Sequence, residues 1–498
     1  MQYRFGSYRP DAPRVGAPDK DGRIDLAQAQ NVYRTADGYL STPSPVAQTV
    51  FGNLTAKCQG AAGVRMSDGT RYLVAGDATK LYLTGSGALV DRTGAAVPAL
   101  STSQRWSIAA FDRTVLATSL GVAGIQGSTG AAFSTLDANA PQAGHVFVLK
   151  EFVVAADIVG RGVNAGLGVQ RDALQWSGRG EFTGANSWLA PGTDAALARE
   201  SSWQPLRGET GPITLALSAG TYGIICRERS IWRMDYVGGA EIMNIEPLEE
   251  NFGCLVNGCG VAVGGNVYFP SESGFVRTDG EKAYDIGFGK INRTWRDSLT
   301  GDDRYLMSAA HDFERQQIWF QHPGSGVAWI YSYATDDWTM SVRPAEWIFN
   351  LQPIAESMDT GSMSAANMDT TFGSTNMDAL GGTDTEELAV FNAIHGVSTL
   401  TGAGQITQMR TKRFQCIPDS RSLVRSIRPF TSNGDQVLAV QGYLTPDEAD
   451  KSPSYSVVGR SGLAPVRAGG RYHELSALFV IDEELEGFDV ILQEQGVR

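Results

Sequence analysis

The sequence is poor in the residues that most chemistry needs. Five histidines and five cysteines are spread over 498 residues. His145, His311, His322, His395 and His473 stand apart, with no His-Glu-x-x-His pattern and no cysteine partners at zinc spacing. Cys254 and Cys259 have no second Cys/His pair beside them, so two small residues buried in a strand pair are a better reading than a metal site. A Gly-x-Ser-x-Gly elbow and a phosphate loop ending in Gly-Lys-Ser/Thr are both missing. These gaps predict a protein that is not an enzyme, with no cofactor and no metal.

Long apolar runs are also missing. The most apolar stretch, His145 to Val159, is broken by Lys150, Glu151 and Asp157. It falls short of the about 18 residues of a membrane-spanning helix, so no such segment is expected. No apolar leader follows Met1, and the cysteine number is odd. Both point to a chain made in a reducing cytoplasm with free thiols. Charged residues are only 19% and the formal net charge is −13, which biases against a protein that grips nucleic acid by its phosphates.

What is plentiful is glycine, 58 residues, together with short β-type runs. Arg71-Tyr72-Leu73-Val74-Ala75 is followed by Lys80-Leu81-Tyr82-Leu83, and Trp106 to Phe111 by Thr114 to Thr118. Similar pairs recur at 146–155, 222–234, 266–277 and 317–333. Asp37-Gly38, Asp68-Gly69, Asn257-Gly258, Asp279-Gly280 and Asn433-Gly434 supply hairpin-type turns, because these residues tolerate positive φ. Helical periodicity is scarce, and Ile291 to Leu299 is the best short candidate. The pattern predicts an all-β fold: a β-propeller of six or seven blades at ~40–45 residues each, with a second β module.

The expected organisation is an N-terminal extended arm over 1–55 packing on a platform, and a propeller over 56–350. A Met/Ser/Asp-rich arm or loop over 351–382 and a C-terminal β platform over 383–498 complete the chain. Within the third segment Ser357-Met358-Asp359-Thr360 is echoed by Asn367-Met368-Asp369-Thr370 and Asn376-Met377-Asp378-Ala379. It reads as a surface loop, or as an arm that docks Met358, Met363, Met368 and Met377 on a neighbouring subunit, since flexible thioethers fill irregular apolar gaps.

Three features invite a sharper reading. Gly160-Arg161-Gly162-Val163-Asn164-Ala165 fits the dinucleotide fingerprint, but no helix is predicted after it, so it reads as a glycine-rich loop. Ser67-Asp68-Gly69-Thr70 resembles part of a sialidase turn motif, occurs once, and is explained as a turn. The tryptophans 106, 176, 188, 232, 295, 319, 329, 338 and 347 could form a sugar platform. Their wide spacing along strands favours core positions.

Several strings in order resemble the tail nozzle, or packaged-DNA stabilisation, proteins of short-tailed bacteriophages. They are Arg105-Trp106-Ser107 with Val115-Leu116-Ala117-Thr118, and Leu174-Gln175-Trp176-Ser177 with Asn186-Ser187-Trp188. Next come Gly223-Ile224-Ile225 with Arg229-Ser230-Ile231-Trp232 and Tyr236-Val237-Gly238-Gly239, then Gly265 to Phe269 with Ser273-Gly274-Phe275. Gly469-Gly470-Arg471-Tyr472-His473 is the last. Together they cover most of residues 30 to 480.

The resemblance implies a virion structural protein of the tail, a propeller joined to a β platform. It implies a homohexameric ring beneath the portal-adaptor ring, meeting tail fibre or plug/needle proteins, with genomic DNA passing through without specific binding. It implies no catalytic residues. The competing readings are a receptor- or carbohydrate-binding, even depolymerising, propeller at the phage tail tip, and a cellular propeller scaffold unrelated to phage.

Overall fold

The computed structural model describes every residue except 86, 185, 240, 300–305, 353–385, 432–436, 480–483 and 495–498. Met358, Met363, Met368 and Met377, the expected docking arm, lie outside the described residues. Asn433-Gly434 lies outside them too.

The fold is all-β, as the hairpin pattern predicts, and is built around a β-propeller. Consecutive antiparallel strands form four-stranded sheets over 60–91, 107–135, 142–205, 213–249 and 261–285. A further four-stranded sheet combines Ala345–Leu351, Glu387–Asn392 and Val397–Thr399 with the distant strand Val46–Ala47. These six free-standing blades are joined in the circle by another four-stranded unit over 308–342. That unit occupies one end of a 13-stranded sheet and so belongs to propeller and platform alike. The expectation of six or seven blades is met by six free blades plus this shared one.

Six of the junctions between neighbours have their own apolar cores, and the seventh, between the 261–285 blade and the shared unit, lies in the core continuous with the platform. Val74, Leu83, Trp106 and Val115 fill the first, and Leu116, Val146, Val153 and Trp188 the next. Phe152, Trp176, Ile225 and Met234 fill the third, and Leu215, Cys226, Phe269 and Val276 the fourth. Trp319, Ile330, Ile348 and Val390 join the shared unit to the last blade. Trp347, Phe349, Leu73 and Ala75 seal the last blade against the first. Packing on both faces explains why many blade strands do not alternate. Gln317–His322 is buried at every position, as is Gly223–Arg227.

The platform strands behave differently. Ala464–Gly470 alternates strictly between buried and exposed, which is the pattern of a sheet with one wet face. The platform also corrects the expected boundaries. The N-terminal arm does not lie against the platform but is woven into it. Gln2–Tyr8 pairs in parallel with Arg23–Gln30 and antiparallel with Gly487–Glu494, and Arg23–Gln30 pairs with Thr407–Thr411. Likewise the propeller does not stop at 350, because its last blade takes strands from 383–498 and from 1–55. Closing a ring needs a strand from far along the chain, and such pairing leaves no local trace in the sequence.

The short helical candidate is real: Asn292–Ser298 is α-helical, with Trp295 fully buried and packed on Phe275 at 4.7 Å between ring centres. Phe275 also meets Trp338 at 4.6 Å and Phe320 at 4.7 Å. This aromatic knot sits in the core that runs on through Tyr3, Phe5, Val424 and Phe488, so the platform and the shared blade have one continuous interior.

Candidate functional site

The innermost strands of the blades surround a central cavity of about 470 Å³. Its wall is mostly small: Ala62 and Gly63, Ala109 and Ala110, Gly144, Ala216 and Ala309 all face it. Small side chains allow the inner strands to approach the axis. The volume is that of a small-molecule pocket.

The polar groups of this cavity are only partly satisfied: His145 Nε2 and Arg105 Nε are buried without a hydrogen-bond partner. His145 is buried, and burial pushes its pKa down to about 4, so the imidazole is neutral at neutral pH. The Arg105 guanidinium donates to the carbonyls of Thr102 and Gln104 at 2.9 and 3.0 Å and lies over the Trp347 ring. Ser107 Oγ accepts from the Val146 amide at 3.0 Å and donates to the Val146 carbonyl at 3.2 Å, stitching two blades together.

The other candidates take structural places. Eight of the tryptophans weighed as a sugar platform, all but Trp232, are buried. Three of them join elements through the indole N–H: Trp106 donates to the Asp77 carbonyl at 2.9 Å, Trp176 to the Glu200 carbonyl at 3.0 Å, and Trp338 to the Ile286 carbonyl at 3.0 Å. The core reading of these residues therefore holds. Cys254 and Cys259 are both buried, and the Cys254 thiol donates to the Val256 carbonyl at 3.1 Å. Among the described residues no three His, Cys, Asp or Glu side chains converge as metal ligands.

The sequence Gly160 to Ala165 leads into a 3-10 turn over Gly162–Leu167 rather than an α-helix, so no helix N-terminus is offered to a pyrophosphate. Asp68-Gly69 is a turn, with Gly69 at φ +87° and the Asp68 carboxylate accepting from the Thr70 amide at 3.0 Å. Glu246 and Glu250 are exposed near the end of the fourth blade's outer strand. Among the described residues no helix is long and apolar enough to cross a membrane.

Two charged sites were missed by sequence reasoning. Asp157, at φ +55° on an inner hairpin, is buried against Arg171, and burial pushes its pKa up to about 7. In the platform, Arg413 stacks 3.7 Å above the Tyr443 ring and holds Asp450 at 2.7 Å and Glu474 at 3.7 Å. The signal for the second was available: Arg410-Thr411-Lys412-Arg413 is a basic cluster in an acidic chain.

No protein-family model matches this sequence. No curated protein matches it either. Among solved structures it is similar to "YCF48 bound to D1 peptide", at 13% identity and TM-score 0.36, over 61% of this chain and 85% of that one. It is also similar to the Cps50 (Swd1) β-propeller domain of Myceliophteria thermophila, at 8% identity and TM-score 0.39, over 72% of this chain and 98% of that one. Identities this low speak to fold alone, and the propeller assignment stands on the strand order and the blade-to-blade cores.

Proposed function

We propose that the chain is a structural subunit of the tail nozzle of a short-tailed phage, in a ring that retains packaged DNA and lets it pass into the host. The observation that carries the reading is the shared blade over 308–342, which stands in the propeller's circle and is also one end of the platform's 13-stranded sheet. A propeller rigidly joined to a platform is the architecture that the nozzle resemblance implies. In this reading the DNA passage is at the centre of the ring. Six copies related by rotation would make heterologous contacts that close on themselves. The portal-adaptor ring and the fibre or plug/needle proteins are its neighbours in the virion.

Native mass spectrometry and cryo-electron microscopy of the assembled tail test the reading. The expected result is a closed ring of six with a central hole. A single copy per particle, a three-fold fibre, or glycan cleavage by the purified protein would overturn it. The lumen should be neutral or negative, because a basic lining would bind phosphates through counterion release and brake the DNA. Salt-sensitive, sub-micromolar binding of duplex DNA by the free protein would contradict that expectation.

A further inference from the structure

A small cavity of about 70 Å³ opens where the N-terminal segment crosses the platform. Its charged lining residues are Arg14, Arg410, Lys412, Arg413, Asp450 and Glu474. Four cations face two carboxylates, a surplus of two positive charges in a chain whose net charge is −13.

The two carboxylates are already engaged. Asp450 accepts from Arg413 at 2.7 Å and lies 3.6 Å from Arg14 and 3.8 Å from Arg410. Glu474 lies 3.7 Å from both Arg410 and Arg413. Arg413 is itself saturated: it also donates to the carbonyls of Pro446 and Glu448, each at 2.7 Å. Its role is to position the two acids.

Donor capacity remains unmatched. Lys412 lines the cavity and is only 3% exposed. Burial pushes its pKa down, while Asp25 and Asp11 favour its charge and Arg9 opposes it. The Arg410 Nε is buried without a partner. A buried donor left unmatched is costly in a protein interior. Arg14, with 62% of its side chain exposed, stands at the mouth. An enclosed water needs roughly 10–15 Å³ of such space, so the cavity has room for a small tetrahedral ion and not for a nucleotide.

We infer that this cavity binds a small oxyanion of the phosphate or sulfate class, held by Lys412 and Arg410 and closed over by Arg14. The bound anion would tie residues 10–14 to the end of the strand Thr407–Thr411, and so join the N-terminal segment to the C-terminal platform. The inference is independent of the nozzle reading, because any function of the fold leaves these side chains where they are.

The test is thermal unfolding of the full chain in sodium phosphate against sodium chloride at matched ionic strength, with calorimetric titration of inorganic phosphate. The expected result is a saturable rise in Tm of about 1–3 °C. Lys412→Gln should abolish it, Arg14→Gln should weaken phosphate binding roughly ten-fold, in keeping with one lost charge-assisted contact, and Arg113→Gln, on a distant exposed side chain, should leave it unchanged. No saturable phosphate effect on the natural chain, or an equal effect in Lys412→Gln, overturns the site. If Lys412→Gln does not fold, Arg14→Gln decides: weakened phosphate binding supports the site and unchanged binding refutes it. A short DNA duplex that binds where phosphate does not would refute a free-anion site as well.

Discussion

The indole of Trp106 lies so close to Gly76 that a Cβ on residue 76 would stand 2.4 Å from its ring. The same tryptophan donates its N–H to the carbonyl of Asp77 at 2.9 Å. Glycine is required here by a close approach, not by a turn. Gly76→Ala must push the indole out of the junction between the first two blades. It is expected to destabilise the protein by at least about 2–3 kcal/mol, read as a drop in denaturant midpoint. Trp106→Phe should cost about 1–2 kcal/mol by orphaning the carbonyl. A neutral Gly76→Ala would show that the blades are loosely packed.

The closing strand gives a second expectation. Gln48 donates its amide to the Val397 carbonyl at 2.8 Å and its side-chain amide to Thr399 Oγ1 at 2.8 Å, beside the pairing of Val46 with Thr399. Gln48→Pro removes the backbone donor and one side-chain bond. The Tm should fall by several degrees, and removal of residues 1–48 should abolish cooperative folding, since the platform then loses two strands as well. A truncated chain that melts near the full-length Tm would show that the propeller closes without its N-terminal strand.

Stability should depend on pH through buried histidines. Burial holds His145 and His473 at about 4, below the ordinary 6.5. Between those values the folded state binds fewer protons than the unfolded one. Their contribution is complete above pH 6.5 and is lost as pH falls toward 4. Asp157, pushed up to about 7, works the other way: its contribution is complete below pH 3.8 and is lost as pH rises to 7. Going from pH 7.5 to 4.5, His473→Gln should therefore lose less stability than the natural chain, by roughly 2–3 kcal/mol. Asp157→Asn should lose more. Parallel pH profiles for the three proteins would mean that these groups are not held as described.

The thiols offer a quick check. All five cysteines are free and buried, and burial pushes Cys254 and Cys416 up to about 12. Thiolate reagents should label none in the native protein and five in denaturant. Rapid labelling of even one thiol under native conditions would place that residue at the surface.

Legibility in the sequence varied from element to element. The hairpin at Asp68-Gly69 was plain because strand, turn and strand are contiguous, and the same holds for Asp279-Gly280. Asn257-Gly258, also read as a hairpin, is instead a turn between blades, because the dipeptide fixes the turn and not the pairing of the strands around it. The helix at Asn292–Ser298 was visible from the spacing of Ile291 and Trp295. Val46–Ala47 was invisible as a strand: both residues are exposed, and the partners Ser398 and Thr399 lie near the other end of the chain. The parallel pairing of Gln2–Tyr8 with Arg23–Gln30 was equally hidden, since register with a distant strand has no local code. The basic cavity failed for a similar reason. Arg410, Lys412 and Arg413 stand together in the sequence, but Arg14, Asp450 and Glu474 reach them only through the fold.

The strand pairing at the two ends of the chain also governs how the protein is made. Met1 donates to Asp489 across 488 positions. At ribosomal rates of about 5–20 residues per second, the first strand waits roughly 25–100 s for its partner. Blades can form in order as they emerge, but the platform stays an open half-sheet until Gly487–Glu494 has been made. During that interval Tyr3, Phe5 and Ile24, all buried in the finished protein, are exposed on the nascent chain. A slowed ribosome or a shortage of chaperones should therefore reduce the yield of this protein more than that of a propeller closed within consecutive sequence.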